Sequence, residues 1–191
     1  MIYSEKYKFC FIHIEKCAGT SIRNTLAKEL KIKHTKNLFY FGPMKGKGGQ
    51  TVKDYIKIFG YKKYKEFFSF AFVRNPFERF VSWYLYDKMG FDNFEKWLYN
   101  FLENNKLNQW DYLTNNDGLI DIEFIGRYEN LQNDFNYILN RLGLNKIILP
   151  IKNKNKKNYF YQDFYSKNLE LYVKSKIQKE LDFFNYKFNF R

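Results

Sequence analysis

A short segment near the start of the chain combines residue types that suit phosphate binding. The segment is EKCAGTS, residues 15–21, and it follows the almost continuous apolar run Lys8–Ile14, which is typical of a buried strand. Lys16 supplies a mobile positive charge, the adjacent alanine and glycine leave the backbone open to a ligand, and the threonine and serine add hydroxyl donors. A helix beginning here would add unpaired N–H groups and a positive dipole end.

Two interpretations of this segment stand side by side. One is a phosphate-binding loop, and the other is an ordinary strand-to-helix turn in which Thr20 or Ser21 caps the helix. The segment is not a Walker A loop, because the leading glycine is absent and no lysine immediately precedes the threonine. This departure disfavours a nucleoside-triphosphate kinase.

A second chemically suggestive segment is FAFVRNPFERFVSWY, residues 70–84. Pro76 suits the first turn of a helix, so Arg74 would precede that helix and Ser82 would lie two turns inside it. A guanidinium together with a hydroxyl makes a good site for a phosphate monoester beside the helix. The alternative is that Arg74 and Arg79 are solvated charges flanking a core helix, with a salt-bridging role for Arg79.

The elements that must position these segments alternate between strands and helices. Strand candidates are Lys8–Ile14, Phe68–Val73 and Asp121–Ile125, and each precedes a helical pattern. A further amphipathic helix lies between Leu169 and Phe184. We therefore expect an α/β fold with a central parallel sheet flanked by helices in three layers, and ligands at the carboxyl ends of the strands.

Composition limits the classes of protein that remain. A chain of 191 residues with 45% hydrophobic residues predicts one domain over residues 1–191. No apolar run is long enough to span a membrane or to form a signal peptide, so we expect a cytoplasmic protein. Cys10 and Cys17 form no metal-ligand pattern, and no metal is expected. The net charge of +13 favours a polyanionic partner without identifying it.

Together the motifs resemble those of a known family. Residues 13–22 look like the 5′-phosphosulfate-binding loop of the carbohydrate sulfotransferases that include the heparan 2-O- and chondroitin enzymes, and residues 70–84 look like their 3′-phosphate-binding motif. Residues 121–131 are similar to the third signature of that family, and residues 181–188 resemble its C-terminal pattern. The resemblance covers most of the chain. It implies a P-loop-like fold that binds 3′-phosphoadenosine 5′-phosphosulfate (PAPS).

The resemblance also implies roles for particular residues. The 5′-phosphosulfate would be held by the loop residues Lys16, Cys17, Ala18, Gly19, Thr20 and Ser21, and the 3′-phosphate by Arg74 and Ser82. Lys16 would in addition stabilise the transferring group. The lysines between residues 152 and 157 correspond to a region that closes over the nucleotide in relatives. The implied reaction transfers a sulfuryl group to a hydroxyl, with a glycan as the expected acceptor and no metal or nucleic acid involved.

The chain departs from the family where a catalytic base is expected. Relatives often carry a histidine ahead of a threonine in the Gly-rich segment, and Gly49 and Gln50 stand there instead; Glu15 replaces the proline usual before the loop lysine. We select His34 as the base because it opens the segment leading to the Gly-rich loop and imidazole has a suitable pKa. Glu15 is the next candidate, and Glu78 and Asp87 are weaker ones. His13 is interpreted as a buried residue of the strand.

Three alternatives remain open from the sequence. The first is a kinase-like enzyme, which would require magnesium and a nucleoside triphosphate. The second is a nucleic-acid-binding protein, suggested by the basic charge and the 22% aromatic residues, although most aromatics fall on apolar stripes that core packing explains better. The third is a sulfotransferase fold without activity.

Overall fold

The computed structural model describes residues 2–30, 51–86, 89–104, 108–150 and 159–189, and these fall into two compact units. The sheet unit takes the described residues of Met1–Val73 and Gln109–Lys154. The helical unit takes those of Arg74–Asn108 and Asn155–Arg191.

Four strands form the sheet of the sheet unit, in the order β1-β2-β3-β4. Their bounds are Ile2–Ser4 for β1, Phe9–Ile12 for β2, Phe68–Val73 for β3 and Phe124–Arg127 for β4. β1 pairs antiparallel with β2, whereas β2, β3 and β4 run parallel. The three parallel strands therefore end at the same edge, where ligands bind in open α/β sheets.

The central strand β3 is buried along its whole length, which explains why its six residues are apolar except for Ser69. Phe70 of β3 stacks on Phe11 of β2, with ring centroids 5.1 Å apart and planes inclined by 16°. Toward β4, Phe72 of β3 pairs with Gly126, and a Cβ added to this glycine would lie 2.6 Å from the Phe72 ring. A glycine at this point lets β4 approach β3 closely.

Helices in the sheet unit flank the strands. They are α1 (Gly19–Glu29), α2 (Val52–Phe59), α3 (Tyr61–Tyr64), α6 (Gln109–Leu113) and α7 (Leu131–Arg141). From α2, the buried Tyr55 hydroxyl accepts a hydrogen bond from the Ile2 N–H at 2.7 Å and donates to the Phe11 carbonyl oxygen at 2.9 Å. Tyr55 thereby ties the antiparallel edge strand to the parallel part of the sheet.

The helical unit contains α4 (Pro76–Tyr86), α5 (Phe94–Asn104) and α8 (Lys167–Phe184). Its core is aromatic. Phe94 and Phe101 lie on either side of Trp97 in stacked arrangements, and Phe77 meets the Phe188 ring edge-on with centroids 5.0 Å apart. The Phe77–Phe188 contact packs the C-terminal segment against the start of α4.

The α/β class is confirmed, as a mostly parallel sheet flanked by helices that is consistent with a P-loop-like fold. β3 has the predicted bounds, but β1 was not predicted, and the third predicted strand begins later than expected. The reason for the later start is that Asp121 is engaged elsewhere: its carbonyl accepts from the Tyr64 hydroxyl and its carboxylate pairs with Lys65 at 2.8 Å. The single domain over 1–191 stays a prediction. In the described ranges, no helix has the length and apolar character required to cross a membrane.

Candidate functional site

The loop between β2 and α1 has an unusual backbone. Lys16 and Ala18 both adopt left-handed conformations, with φ of 67° and 63°, although neither is glycine. Such residues cost on the order of 1–2 kcal/mol each and collect at ligand-binding loops, where they turn successive N–H groups toward one point. The loop predicted to bind phosphate therefore has backbone geometry suited to an anion.

The N-terminus of α1 lies at the end of this loop. Its cap is Ala18, which has no side-chain acceptor, and the first helical hydrogen bond runs from the Ile22 N–H to the Ala18 carbonyl at 3.2 Å. The interpretation of Thr20 or Ser21 as the cap is therefore wrong, because both lie inside the first turn of the helix. An alanine cap supplies no side-chain acceptor to the first turn, whose N–H groups are the ones that bind anions at helix N-termini.

Cys17 links the loop to α6. Its side chain is buried, and its thiol donates to Oε1 of Gln109, the first residue of α6, at 3.3 Å. The Gln109 side chain is itself fully buried. The thiol of Cys17 is thus engaged within the protein, and its predicted role in binding a ligand stays a prediction. The sequence contained no signal for Gln109, since it lies 92 residues away.

The flanking charged residues of the loop, Glu15 and Lys16, are both half-buried, as is Thr20, whereas Ser21 is buried. A half-buried lysine can in general pack its stem against a protein and keep its ammonium at the surface. These positions agree with the predicted roles of Lys16 and Thr20 in an anion site and leave both roles as predictions.

His13 lies directly beside the loop. Its ring stacks on Phe11, with centroids 5.8 Å apart and planes inclined by 17°. Burial lowers the pKa of the imidazole to about 4, and the positive charge of Arg23 adds to the effect. The ring is neutral near pH 7 and is a weak base there, since an efficient general base has a pKa near the working pH. His34, the predicted base, lies outside the described residues, as do Asp87 and the lysines between residues 152 and 157.

The second motif begins where β3 ends and opens α4 as predicted. The Asn75 side chain caps the helix by accepting from the Phe77 N–H at 3.1 Å, and Pro76 is the first helical residue. The Asn75 amide also donates to the Lys187 carbonyl at 3.0 Å. One side chain thus starts α4 and holds the C-terminal segment.

The arginines of this motif are buried. Arg74 donates through Nη2 to Oε1 of Glu78 at 2.6 Å, and the Arg79 guanidinium lies 5.1 Å from the centroid of the Trp83 ring. The interpretation of both arginines as solvated surface charges is therefore wrong. Ser82 is half-buried and follows Glu78 by one turn, so the two share a face of α4. Sequence reasoning considered Glu78 only as a weak candidate base and missed its pairing with Arg74.

The residues of the two motifs divide between the units: the loop from Lys16 to Ser21 belongs to the sheet unit, and Arg74 and Ser82 to the helical unit. Within the parts of the chain that the structure describes, no group of three or more His, Cys, Asp or Glu side chains could hold a metal ion.

Comparison with known proteins gives one family. A model described as the sulfotransferase family matches residues 1–188. A curated relative, an uncharacterised protein of Archaeoglobus fulgidus, is 36% identical over 94 residues, covering 44% of this chain and 75% of the relative. No solved structure matches the chain.

Proposed function

Because the chain belongs to the sulfotransferase family, we propose that it transfers a sulfuryl group from PAPS to a hydroxyl of a carbohydrate. The family match extends over residues 1–188, which also supports the proposal that the chain works as one sulfotransferase domain.

The observation that carries the proposal is the loop before α1. Left-handed residues at positions 16 and 18, a helix start without a side-chain cap, and a half-buried lysine form a site whose chemistry fits a 5′-phosphosulfate. Backbone N–H groups would bind the phosphate oxygens. Lys16 would stabilise the negative charge that grows on the bridging oxygen as the sulfur leaves it.

Discrimination of the donor from other adenine nucleotides is assigned to Arg74 and Ser82. A buried guanidinium loses little side-chain entropy when it binds and forms strong charge-assisted hydrogen bonds to phosphate. A ligand with a 3′-phosphate would therefore gain contacts that AMP and ATP lack.

In the proposed reaction, the acceptor oxygen forms a bond to sulfur while the bond from sulfur to the bridging oxygen breaks, in line with the attack. The proton of the acceptor hydroxyl passes to a base, for which we propose His34, with Glu15 as the next candidate. The low pKa of His13 favours a base other than His13. Alignment and charge stabilisation supply most of the rate enhancement in such transfers, as in phosphoryl transfer.

The reaction is tested with PAPS carrying radioactive sulfate, offered with heparan-type, chondroitin-type and uncharged oligosaccharides. We expect label to appear in at least one glycan without added magnesium. Transfer of phosphate from ATP with magnesium, and no transfer of sulfate to any acceptor, would contradict the proposal.

The base is tested separately by single-turnover sulfation with His34→Ala and Glu15→Gln, after donor binding by each variant has been measured. We expect His34→Ala to lose most of the rate with donor affinity unchanged. A His34→Ala enzyme that keeps its rate would exclude His34, and a loss confined to Glu15→Gln would assign the base to Glu15.

A further inference from the structure

We propose that His13 is a positioning residue that sets the shape of the anion-binding loop by packing its ring against the Cα of Gly19. The proposal rests on the proposed function, because the loop is assigned there to the 5′-phosphosulfate. A Cβ added at Gly19 would lie 1.9 Å from Cδ2 and 2.0 Å from Nε2 of His13. The imidazole therefore occupies the space that any larger residue at the first position of α1 would need.

The ring is fixed in this position by the sheet. His13 stacks on Phe11, and Phe11 stacks in turn on Phe70 of the central strand β3. Phe11 and Phe70 are both buried. A continuous column of three rings thus runs from the middle of the sheet to the first residue of α1, and close packing transmits position along such a column.

Gly19 is required for this contact and not for its backbone conformation. Its φ lies outside the left-handed region, so alanine is sterically allowed there and would favour the helix. The expected effect of Gly19→Ala is therefore the collision with the His13 ring. Since the ring is held by Phe11, relief of the collision must displace the loop.

The effects of substituting His13 and Gly19 on ligand binding should for this reason depend on each other. We expect Gly19→Ala to weaken the binding of adenosine 3′,5′-bisphosphate (PAP) about tenfold or more, and His13→Ala to weaken it about threefold. In the double variant the methyl group occupies space that the ring has left. Its affinity should then return to about that of His13→Ala, better than that of Gly19→Ala alone.

A matched control is available at Gly126, where an added Cβ meets a different ring, that of Phe72, at 2.6 Å. His13→Ala cannot relieve that collision. The effects of His13→Ala and Gly126→Ala should therefore be additive in melting temperature, whereas those of His13→Ala and Gly19→Ala should compensate.

The experiment measures dissociation constants for PAP and for adenosine 3′-monophosphate, with melting temperatures for every variant. Gly19→Ala should weaken the binding of PAP and leave the binding of the 3′-monophosphate nearly unchanged, because only PAP has the 5′-phosphate that the loop would bind. A double variant no better than Gly19→Ala in both affinity and melting temperature would overturn the proposal, and so would equal losses for the two ligands. If the unchanged protein does not bind PAP, the proposed function fails, while the melting temperatures still test the His13–Gly19 contact.

Discussion

Arg74 and Glu78 are joined by a hydrogen bond of 2.6 Å between Nη2 and Oε1, four residues apart at the start of α4. The arginine side chain is buried and the glutamate side chain is 31% exposed, so the carboxylate is the partner that can turn toward solvent. The pair holds the guanidinium in one orientation at the position assigned to the 3′-phosphate of the donor. Binding of that phosphate would place a second anion beside the same guanidinium.

Removal of the arginine should affect one ligand selectively. We expect Arg74→Ala to weaken PAP binding by roughly 1.5–3 kcal/mol, the scale of a charge-assisted hydrogen bond, and to leave AMP binding nearly unchanged. Calorimetric titration of both ligands measures this, with Arg141→Ala as a control for loss of an exposed arginine. Equal weakening of PAP and AMP would make Arg74 a structural residue.

The glutamate would compete with the proposed phosphate for the same guanidinium. Glu78→Gln keeps an oxygen acceptor for Arg74 and removes the negative charge, so PAP should bind about two- to fivefold more tightly at low ionic strength, and by less as salt is added. Affinity measured at two salt concentrations tests this. Weaker PAP binding by Glu78→Gln would mean that the carboxylate orients Arg74 in the complex and does not compete.

Much of the site's framework was predictable because its signals are local. β3 is apolar except for Ser69 and ends just before Arg74, and Pro76 marks the start of α4, so the sequence predicted both correctly. The loop before α1 was predicted from its small residues and its lysine. Each of these features depends on residues that are adjacent in the chain.

Features made by tertiary contacts were not predictable. Ala18 caps α1 with a left-handed backbone, and its side chain gives no sign of this in the sequence. The thiol of Cys17 donates to a residue 92 positions away in the chain. Arg79 lies off the apolar stripe, yet it is buried because its guanidinium stacks over Trp83. Patterns of polarity along a helix do not reveal such packing.

Lys16 should matter more for turnover than for binding. Its charge is most valuable in the transition state, when negative charge develops on the leaving phosphate, so Lys16→Ala should lower kcat by more than it raises the dissociation constant of the donor. Lys28→Ala, which removes an exposed lysine from the last turn of α1, is the control. Normal turnover at saturating donor would exclude this role of Lys16.

His13 should make the stability of the protein depend on pH. Its pKa falls from 6.5 in the unfolded chain to about 4 in the folded protein, so between these values the unfolded state binds more protons. The contribution of His13 to the free energy of unfolding is fully present above pH 6.5. This contribution is lost as the pH falls toward 4, which lowers the free energy of unfolding by about 1–3 kcal/mol. Urea unfolding measures the free energy of unfolding at each pH. This free energy should change less with pH over the range in His13→Gln than in the unchanged protein. An unchanged pH dependence would contradict a pKa of about 4 for His13 in the folded protein.

Loss of the Asn75 cap should lower the free energy of unfolding by more than loss of a comparable asparagine cap. Asn75→Ala removes both the cap of α4 and the hydrogen bond to the Lys187 carbonyl, so the free energy of unfolding should fall by about 2 kcal/mol. Asn93 caps α5 through the Lys96 N–H at an exposed position, and Asn93→Ala should cost about 1 kcal/mol. Equal losses would show that the link to Lys187 contributes nothing.

The proposed site would recognise an adenosine nucleotide by its phosphates at both the 5′ and 3′ positions. Calorimetric titration of the unchanged protein with PAP, with AMP and with ATP plus magnesium tests this recognition most directly. We expect PAP to bind at least about tenfold more tightly than either of the others, because AMP and ATP lack the 3′-phosphate that we propose Arg74 binds. Binding of ATP with magnesium as tight as that of PAP would contradict this recognition.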